Sequence, residues 1–370
     1  MLSRYSGYAC LSSDSDYSLL NASGRVPVIK LNRFHRVFLN HSVLLKLESC
    51  NPSGSIKDKN AATLIALAEK NGRLKPGGTV VESSSGNFGI ALASVGASRG
   101  YKVIIVIDAK TPPPMRRMLE ALGAELREVP LSLADASGSM QKARMGFAKK
   151  LAGEIDAFYP CQHLNPDNPL AHYYHTGPEL LRDLPEAPDY VFVGISTAGQ
   201  ITGITRYLQE AGARTKVIAV DVSGSVALGG KPAAYKMTGL GLSFSPPNFD
   251  PSTVWTGYQV PDEISFNTCI HLAKREGLLL GASTGALLAG AVAFLRQCNP
   301  NKSVAVINPD RGDRYLDTVY NPDWMKAQGF RLFNREALDR AFDQLKPVVI
   351  SEGRNKDEKA VQVFSSHFPV

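Results

Sequence analysis

Short, continuous runs of β-branched and other apolar residues alternate with helix-like runs from about residue 43 to residue 309. Continuous β-branched runs are typical of strands that are buried on both faces, and the intervening helices supply the crossover connections of parallel sheets. The pattern therefore predicts an α/β fold in which helices cover both sides of mostly parallel sheets. The predicted strands are Val43–Glu48, Thr79–Glu82, Val103–Ile107, Tyr190–Val193, Val217–Val220 and Val304–Ile307.

Chain length and loop composition indicate how this fold is divided. A chain of 370 residues can bury one or two substantial cores, so two domains are the natural expectation. Tyr159–Pro169 is rich in Pro, Asp and Asn, and we interpret it as the joint between them. The loop Gly239–Pro247 has neither helical nor strand period, and we interpret it as a loop that gates the substrate. Beyond Tyr320 the pattern becomes polar and charged, with one predicted helix around Arg335–Leu345.

Charge and hydropathy narrow the kinds of partner. The 41 basic and 34 acidic residues give a net charge of +7 and are spread along the whole chain without a dense Lys/Arg block. Nucleic acid is therefore not the expected partner, whereas anionic small substrates suit the mild positive bias. No apolar run reaches membrane-spanning length, and Met1–Arg25 lacks the basic-then-apolar layout of a secretory signal. We therefore expect a soluble cytoplasmic protein without a membrane partner.

Cysteine and histidine spacing supports neither a disulfide framework nor a metal site. The odd, sparse set of cysteines indicates reduced and mostly buried thiols. His172 and His175 are close in the sequence, but no carboxylate or cysteine completes a ligand set, so no metal is expected. The cysteines are Cys10, Cys50, Cys161, Cys269 and Cys298.

Lys57 lies where the loop after the first predicted strand turns into a helix. Partial burial against the strand end and the positive end of the helix dipole both favour the neutral amine, which is the form that condenses with an aldehyde. Pro52 and Gly54 fix an irregular backbone before the helix, and Asp58 falls in its acid-preferring first turn. A lysine in such a turn is usually a solvated surface charge, so Lys57 becomes a candidate only together with segments downstream.

Three loops of small residues each precede a helix. Glu82–Gly89 and Ser196–Gln200 follow predicted strands, and Gly281–Gly285 leads into a helix rich in Ala and Leu. Hydroxyls, glycines and helix N-terminal amides can cradle an anion, a carboxylate in the first loop and a phosphate in the second. A capped helix start or close helix packing is the simpler explanation of each loop taken alone. The charges of Asn308–Tyr315, after the last strand, suit either a solvated turn or a clamp for an acidic group.

In this order, these segments resemble the pyridoxal-phosphate enzymes of fold type II, the cysteine synthase and cystathionine β-synthase family, over about Val26–Tyr320. The resemblance implies a tryptophan synthase β-like fold of two domains, each with a mostly parallel twisted sheet flanked by helices. Residues 50–160 would form a smaller, mobile domain that carries the substrate carboxylate loop. Residues 26–49 and 161–325 would form the larger, phosphate-binding domain, and residues 326–370 a C-terminal tail.

The same resemblance implies a role for each motif residue. Lys57 would hold pyridoxal 5′-phosphate as a Schiff base and act as general base at the substrate Cα in a ping-pong β-replacement through an aminoacrylate. Asn87 would bond the pyridoxal 3′-oxygen, and Ser283 would face the pyridine nitrogen and keep the cofactor a mild electron sink. The expected phosphate contacts are Ser196, Thr197, Ala198, Gly199 and Gln200. The expected substrate contacts are Ser84, Ser85, Gly86, Phe88, Gln162, His163, Arg311 and Arg314.

Departures from the cysteine synthase pattern indicate a narrower resemblance. Phe88 stands where that family has a threonine, Ser196–Gln200 replaces Gly-Thr-Gly-Gly-Thr, and Pro309–Asp317 is a distinctive run. These features are similar to the synthases of 2,3-diaminopropionate pathways in siderophore and antibiotic biosynthesis, as in the staphyloferrin B pathway. Such enzymes join O-phospho-L-serine to L-glutamate, giving N-(2-amino-2-carboxyethyl)-L-glutamate, from which a partner dehydrogenase releases diaminopropionate.

Two anionic substrates would need fixed positive charge in the pocket. Arg311 and Arg314 are the candidates, Arg311 being the stronger, and we expect His163 to bond the carboxylate of the nucleophile. Cysteine synthase and a cystathionine β-synthase-like enzyme remain alternatives, although the regulated form of the latter would need roughly a hundred more residues after the catalytic part. A dehydratase would be expected to have a more Gly-rich phosphate loop, and a non-enzymatic binding module of this fold could have lost Lys57. The family is usually dimeric, so we expect a homodimer.

Overall fold

The computed structural model describes residues 22–24, 26–134 and 138–348, and the strands of this part of the chain form two sheets. The strands are β1 (Val28–Lys30), β2 (Ser42–Leu47), β3 (Thr79–Ser83), β4 (Lys102–Asp108), β5 (Glu125–Val129), β6 (Tyr190–Gly194), β7 (Lys216–Val222), β8 (Thr256–Val260), β9 (Ser303–Asn308) and β10 (Pro347–Val348). The α-helices are α1 (Lys57–Lys70), α2 (Asn87–Arg99), α3 (Pro113–Ala121), α4 (Gln141–Glu154), α5 (Gly177–Arg182), α6 (Gly199–Glu210), α7 (Asp262–Glu276), α8 (Ala282–Leu295), α9 (Pro322–Ala327) and α10 (Arg335–Asp343).

Several short turns of other helix types connect these elements. A π-helical turn, His172–Thr176, leads directly into α5. The 3₁₀ turns are Arg36–Asn40, Glu48–Cys50, Leu131–Leu133, Pro251–Thr253 and Asp313–Tyr315.

The larger sheet has seven strands in the order β1-β2-β9-β6-β7-β8-β10. Strands β2, β9, β6, β7 and β8 run parallel, and the short edge strands β1 and β10 pair antiparallel with β2 and β8. Leu47 and Asn308 are register partners, so β2 and β9 end side by side. The chain that leaves β9 therefore starts beside the loop that leads to Lys57.

The smaller sheet contains the parallel strands β3, β4 and β5 in that order. Helix α2 connects β3 to β4 and packs against α1. Apolar residues from both helices and from the sheet form one buried cluster, because each element presents an apolar face to the others. Members of this cluster include Leu64, Ile65, Val80, Phe88, Ile90, Leu92, Val103 and Ile105.

Helix α8 is apolar around most of its circumference, and every one of its residues is buried. A helix of this kind is stable only inside a core, since it has no polar face to present to water. It packs against α7 and against strands β6, β7, β8 and β9 of the larger sheet. This central position fixes the start of the helix, where Ser283 lies, at the carboxyl end of those strands.

The α/β class, with mostly parallel sheets flanked by helices, is confirmed. Each predicted strand coincides with a strand of the structure, except that Glu48 already belongs to a 3₁₀ turn. The predicted C-terminal helix is present over Arg335–Asp343, and Pro347–Val348 then adds an edge strand to the larger sheet. The residue ranges proposed for the two domains stay a prediction. The predictions for Cys10, for most of Met1–Arg25 and for residues 349–370 lie outside the described residues. Within the described ranges no helix is long and apolar enough to cross a membrane.

Candidate active site

Lys57 is the first residue of α1, and the loop before it is fastened to the end of β9. The Ile56 amide donates to the Pro309 carbonyl at 2.8 Å, and Ser55 forms an antiparallel bridge with Asp310. These contacts place Lys57 at the carboxyl end of the larger sheet. Ligands of open parallel α/β sheets bind at that end.

The Lys57 amine lies in an environment that lowers its basicity. Desolvation lowers its pKa from 10.5 to about 8, while the negative charge of Asp310 acts in the opposite direction. At pH 7 about one such amine in ten is neutral, against about one in three thousand at the usual pKa. Burial therefore raises the fraction of neutral amine at this position, which is the direction that the sequence predicted.

Asn87, the first residue of α2, has its side-chain amide held from two sides. Its Nδ2 donates to Asp310 Oδ2 at 2.7 Å, and its Oδ1 accepts from a guanidinium nitrogen of Arg314. Arg314 is only 9% exposed and also donates to the Ser53 carbonyl. The structure thus brings together residues from three separate motifs beside the loop that leads to Lys57.

Asp310 is a residue of this cluster that sequence reasoning did not single out. It is 1% exposed, and its carboxylate accepts from Asn87 and from the Tyr315 hydroxyl, the latter at 2.5 Å. Burial raises the pKa of this carboxyl group, and the hydrogen bonds from Tyr315 and Asn87 oppose that rise. The available signal was its position three residues after the last predicted strand, in a turn that it shares with other charged residues.

The two arginines of this turn occupy different environments. Arg311 is exposed, and its Nε donates to the Ser49 carbonyl at 3.0 Å. Arg314 points inward because the 3₁₀ turn Asp313–Tyr315 rotates it towards Asn87. The structure therefore places Arg314 in the cluster and Arg311 at its rim, the reverse of the order in which the sequence ranked them.

The loop Ser196–Gln200 connects β6 to α6 and is held by Asn168. Ala198 has φ +63°, a left-handed conformation that turns the chain into the helix at Gly199. Asn168 Nδ2 donates to Thr197 Oγ1 at 3.0 Å, and a Cβ on Gly199 would lie 2.5 Å from Asn168 Oδ1. The loop is therefore built around Asn168, and Gly199 is small because that amide lies against its backbone.

The donors of this loop fit a phosphate group. The N-terminus of α6 offers backbone amides and the positive end of a helix dipole, which together favour a dianion. Gln200 is buried, and its Nε2 has no hydrogen-bond partner among the described residues. An unpaired buried donor is costly unless a ligand satisfies it. With Lys57 at the end of the same sheet, these residues fit pyridoxal phosphate.

Ser283, the second residue of α8, is 2% exposed and faces the loop Gly239–Pro247. Gly239 has φ +91°, and a Cβ built on it would lie 3.9 Å from Ser283 Oγ. Further along the same loop, Phe244 contacts His163 edge-on, with ring centroids 6.1 Å apart. The loop that the sequence singled out thus lies against two of the predicted site residues, and its gating role stays a prediction.

The predicted carboxylate loop divides into accessible and internal residues. Ser84 is buried, and its Oγ accepts from the Gly89 amide at 2.9 Å. Ser85 and Gly86 are partly exposed at the N-terminus of α2, where an anion would find free amides. Phe88 is 2% exposed and belongs to the hydrophobic core of the smaller sheet. The first turn of α2 directs its side chain into that core, and the substrate contact expected of Phe88 stays a prediction.

His163 and Gln162 lie in the joint between the two sheets. Burial, followed by the charges of Lys57 and Arg144, lowers the pKa of His163 to about 3, so its imidazole is neutral at physiological pH. Its Nδ1 is buried without a hydrogen-bond partner among the described residues. Any contact with a substrate carboxylate would therefore be a neutral hydrogen bond and not an ion pair.

Glu82, at the end of β3, fixes the backbone of this joint. Its Oε2 accepts from the Gln162 amide at 3.2 Å, and its Oε1 accepts from the Ser83 amide at 2.7 Å. Burial raises its pKa to about 8, against these bonds, which lower it. Gln162 is buried, and its backbone carbonyl accepts from Asn168 Nδ2, which also supports the phosphate-type loop. Asn168 thus links the joint to that loop through hydrogen bonds to both.

A metal ion is held by several ligand side chains that lie close together. Across residues 22–24, 26–134 and 138–348, no group of three or more His, Cys, Asp or Glu side chains is arranged to hold a metal ion.

A lysine of lowered pKa at the carboxyl end of a parallel sheet that also has a helix start suited to an anion is typical of a cofactor-dependent α/β enzyme. Residues 19–310 match the model of the family described as "Pyridoxal-phosphate dependent enzyme". The chain belongs to this family, whose members depend on pyridoxal phosphate.

Individual members of this family show which enzymes the chain resembles. The chain is 36% identical over 337 residues to a cystathionine beta-synthase of Apis mellifera, which covers 88% of this chain and 66% of that protein. Among solved structures, an O-ureido-L-serine synthase is 31% identical with a TM-score of 0.77, covering 88% of this chain and all of that chain. An O-acetylserine dependent cystathionine beta-synthase from Helicobacter pylori is 33% identical with a TM-score of 0.74, covering 82% of this chain and 99% of that chain.

Proposed function

We propose that this protein is a cytoplasmic, homodimeric enzyme that catalyses a pyridoxal-phosphate-dependent β-replacement on an amino acid. We further propose that it joins O-phospho-L-serine and L-glutamate to give N-(2-amino-2-carboxyethyl)-L-glutamate and phosphate. The product would pass to a dehydrogenase that releases 2,3-diaminopropionate for a siderophore or an antibiotic. The observation that carries the reaction class is the desolvated Lys57 amine, with its pKa of about 8, near the carboxylate of Asp310 that also holds Asn87.

Lys57 is the group that moves protons in this proposal. The bound cofactor supplies an electron sink for the bond that breaks at the substrate Cα. A lysine with a pKa of about 8 can accept the Cα proton and return it at neutral pH, because its two protonation states are close in free energy. Its position at the start of α1 places the residue at the carboxyl end of the larger sheet.

The substrate carboxylate has a docking point at the N-terminus of α2. Ser85, Gly86 and Asn87 are partly exposed there, and the first turn of a helix offers unpaired amides to an anion. Ser84 keeps the turn rigid through its bond to the Gly89 amide. This arrangement orients Cα and does not itself discriminate between leaving groups at Cβ.

Support for two anionic substrates comes from Arg314 and His163. Arg314 holds a guanidinium in the cluster around Asn87, and a buried guanidinium suits carboxylate or phosphate oxygens. His163 keeps an unpaired ring nitrogen beside Phe244 of the loop Gly239–Pro247. As a neutral group it can bond a carboxylate without bringing a second charge into the site.

A product assay on the cofactor-loaded protein tests this proposal. O-phospho-L-serine or O-acetyl-L-serine would be supplied with L-glutamate, sulfide or L-homocysteine, and products identified by mass spectrometry. We expect the glutamate adduct from O-phospho-L-serine, no product from Lys57→Ala, and a raised KM for glutamate in His163→Ala. An unchanged dependence of rate on glutamate in His163→Ala would remove that residue from the site, and inert glutamate would overturn the assignment of the nucleophile.

A second function is favoured by the comparisons. Two of the relatives are cystathionine beta-synthases, one of them O-acetylserine dependent. The same assay separates this function, because cystathionine from homocysteine would replace the glutamate adduct. Cysteine from sulfide alone would instead indicate a cysteine synthase.

A further inference from the structure

The orientation of the Asn87 amide decides which group it presents to a ligand. An asparagine side chain can be turned end for end, which exchanges its acceptor oxygen for its two N–H donors. At Oδ1 it meets Arg314, whose guanidinium can only donate, and at Nδ2 it meets the carboxylate of Asp310. The opposite orientation would set donor against donor at Arg314 and acceptor against acceptor at an ionised Asp310. The amide is therefore locked in one orientation.

This lock leaves one N–H donor of Asn87 without a partner in the part of the chain that the structure describes. The side-chain NH₂ has two N–H groups, and one of them is bonded to Asp310. Asn87 is partly exposed at the start of α2. We propose that Asp310 is a positioning residue, which holds the Asn87 amide so that its second N–H faces the 3′-oxygen of bound pyridoxal phosphate. This inference rests on the cofactor contact that the family resemblance gives to Asn87.

Asp310 is itself held on several sides. Its Oδ2 accepts from Tyr315, and its backbone carbonyl accepts from Asn308 Nδ2 at 2.8 Å and from the Gly281 amide at 3.1 Å. Its backbone also bridges to Ser55, two residues before Lys57. One buried residue is thus connected to the loop of Lys57, to the start of α8 and to the carboxylate loop.

Gly281 explains how the carboxylate of Asp310 fits. A Cβ built on Gly281 would lie 1.8 Å from Asp310 Oδ1, closer than any real contact. Its φ is −69°, a value open to every residue type, so the backbone does not require glycine here. The requirement comes from Asp310. Gly281→Ala should therefore displace that carboxylate without touching Asn87 directly.

The test compares Asp310→Ala, Gly281→Ala and Asn87→Ala holoenzymes with the wild type, because an alanine at position 310 has no oxygen to accept from Asn87. Gly290→Ala, in the helix that follows Gly281, is the control, since its Cβ would meet Val220 at an ordinary 3.4 Å. One readout is the visible spectrum of the resting holoenzyme, which reports whether the cofactor's phenolic oxygen is ionised. The other is the rate constant for cofactor release, measured with an excess of a second apoprotein that captures free pyridoxal phosphate. Thermal unfolding of each variant confirms that it is folded.

We expect Asp310→Ala and Gly281→Ala to shift the spectrum in the direction of Asn87→Ala and to speed release about tenfold, the loss of one well-placed hydrogen bond. Gly290→Ala should match the wild type. If Asn87→Ala shifts the spectrum but a folded Asp310→Ala does not, the positioning role of Asp310 is wrong and the Asn87 contact stands. If neither Asn87→Ala nor Asp310→Ala shifts it, both ideas are wrong. Should Asp310→Ala fail to fold, an unshifted Gly281→Ala spectrum would still overturn the inference.

Discussion

Replacing Lys59 with methionine is expected to destabilise the protein strongly, because this lysine lies inside a buried group of charges. Its Nζ lies 2.7 Å from Glu48 Oε1 and 2.7 Å from Glu179 Oε2, and Lys46 Nζ lies 2.8 Å from Glu179. Lys59 is 1% exposed, and Lys46 and Glu48 are as deeply buried. Lys59→Met keeps the length of the side chain but leaves two buried carboxylates to share one lysine.

The size of the effect follows from the charge that is left unpaired. Breaking a buried ion pair by removing one partner costs about 3–5 kcal/mol. An unfolding entropy of about 2.1 cal/mol/K per residue gives about 0.8 kcal/mol/K for the whole chain, so a loss of about 4 kcal/mol lowers Tm by about 5 °C. Adding Glu48→Gln to Lys59→Met should recover part of this loss, because the double variant removes a charge from each side.

Thermal unfolding followed by circular dichroism measures these differences. Lys150→Met is the matched control, because Lys150 is 76% exposed and its ion pair with Glu154 joins neighbouring turns of α4. Exposed pairs of this kind contribute little, so its Tm should stay within about 1 °C of the wild type. The reasoning is refuted if Lys59→Met unfolds within the same 1 °C, or if the double variant is as unstable as the two losses added together.

Three further predictions concern the site. Because the pKa of Lys57 is about 8, the rate at which apoprotein takes up pyridoxal phosphate should rise with pH and level off above about 8; a midpoint near 10.5 would contradict the desolvation of this amine. Burial raises the folded-state pKa of Glu82 to about 8, so the stability it contributes at low pH is lost as pH rises from about 4.5 to 8. Between pH 6 and 8.5 the free energy of unfolding should fall by about 2.5 kcal/mol from this group, or about 3 °C in Tm. Glu82→Gln should remove that part of the pH dependence, and an unchanged slope of Tm against pH would show that Glu82 does not contribute it. Asn168→Ala should weaken cofactor binding about tenfold in a fluorescence titration, since it frees Thr197 of the phosphate-type loop, and an unaltered Kd would show that Asn168 does not support that loop.

The sequence was a good guide to the elements and to the loops between them. Buried parallel strands have a strong signal, because both faces must be apolar, and all six predicted strands are present. Four strands were not predicted. The antiparallel edge strands β1 and β10 are three and two residues long, too short for any period to show. Strands β5 and β8 have five residues each, and their polar residues interrupt the continuous apolar run that marked the other strands. Loops between a strand and a helix were also recognisable, and the parallel sheet then brings their positions together at one edge.

Side-chain direction was much harder to predict. Phe88 and Asn87 are neighbours in the first turn of α2, yet one enters the core and the other holds Asp310 and Arg314. The sequence gives no period over so short a segment, so it could not separate them. Arg311 and Arg314 pose the same difficulty, because only Arg314 lies in the 3₁₀ turn Asp313–Tyr315, and the sequence does not reveal that turn.

The hydrophobic and polar pattern of a sequence does not predict which charged residues are buried. Lys59 and Asp310 have the residue types of a solvated surface, and each is nearly inaccessible because its partners come from distant parts of the chain. Glu179 is 120 residues from Lys59, and Asn87 is 223 residues from Asp310. Desolvating a charge is costly unless such partners are fixed in place. Each residue is therefore stable in its place only when these distant parts of the chain have come together. The geometry around Lys57 depends on both residues, since Lys59 anchors the helix that Lys57 begins and Asp310 bridges to the loop before it.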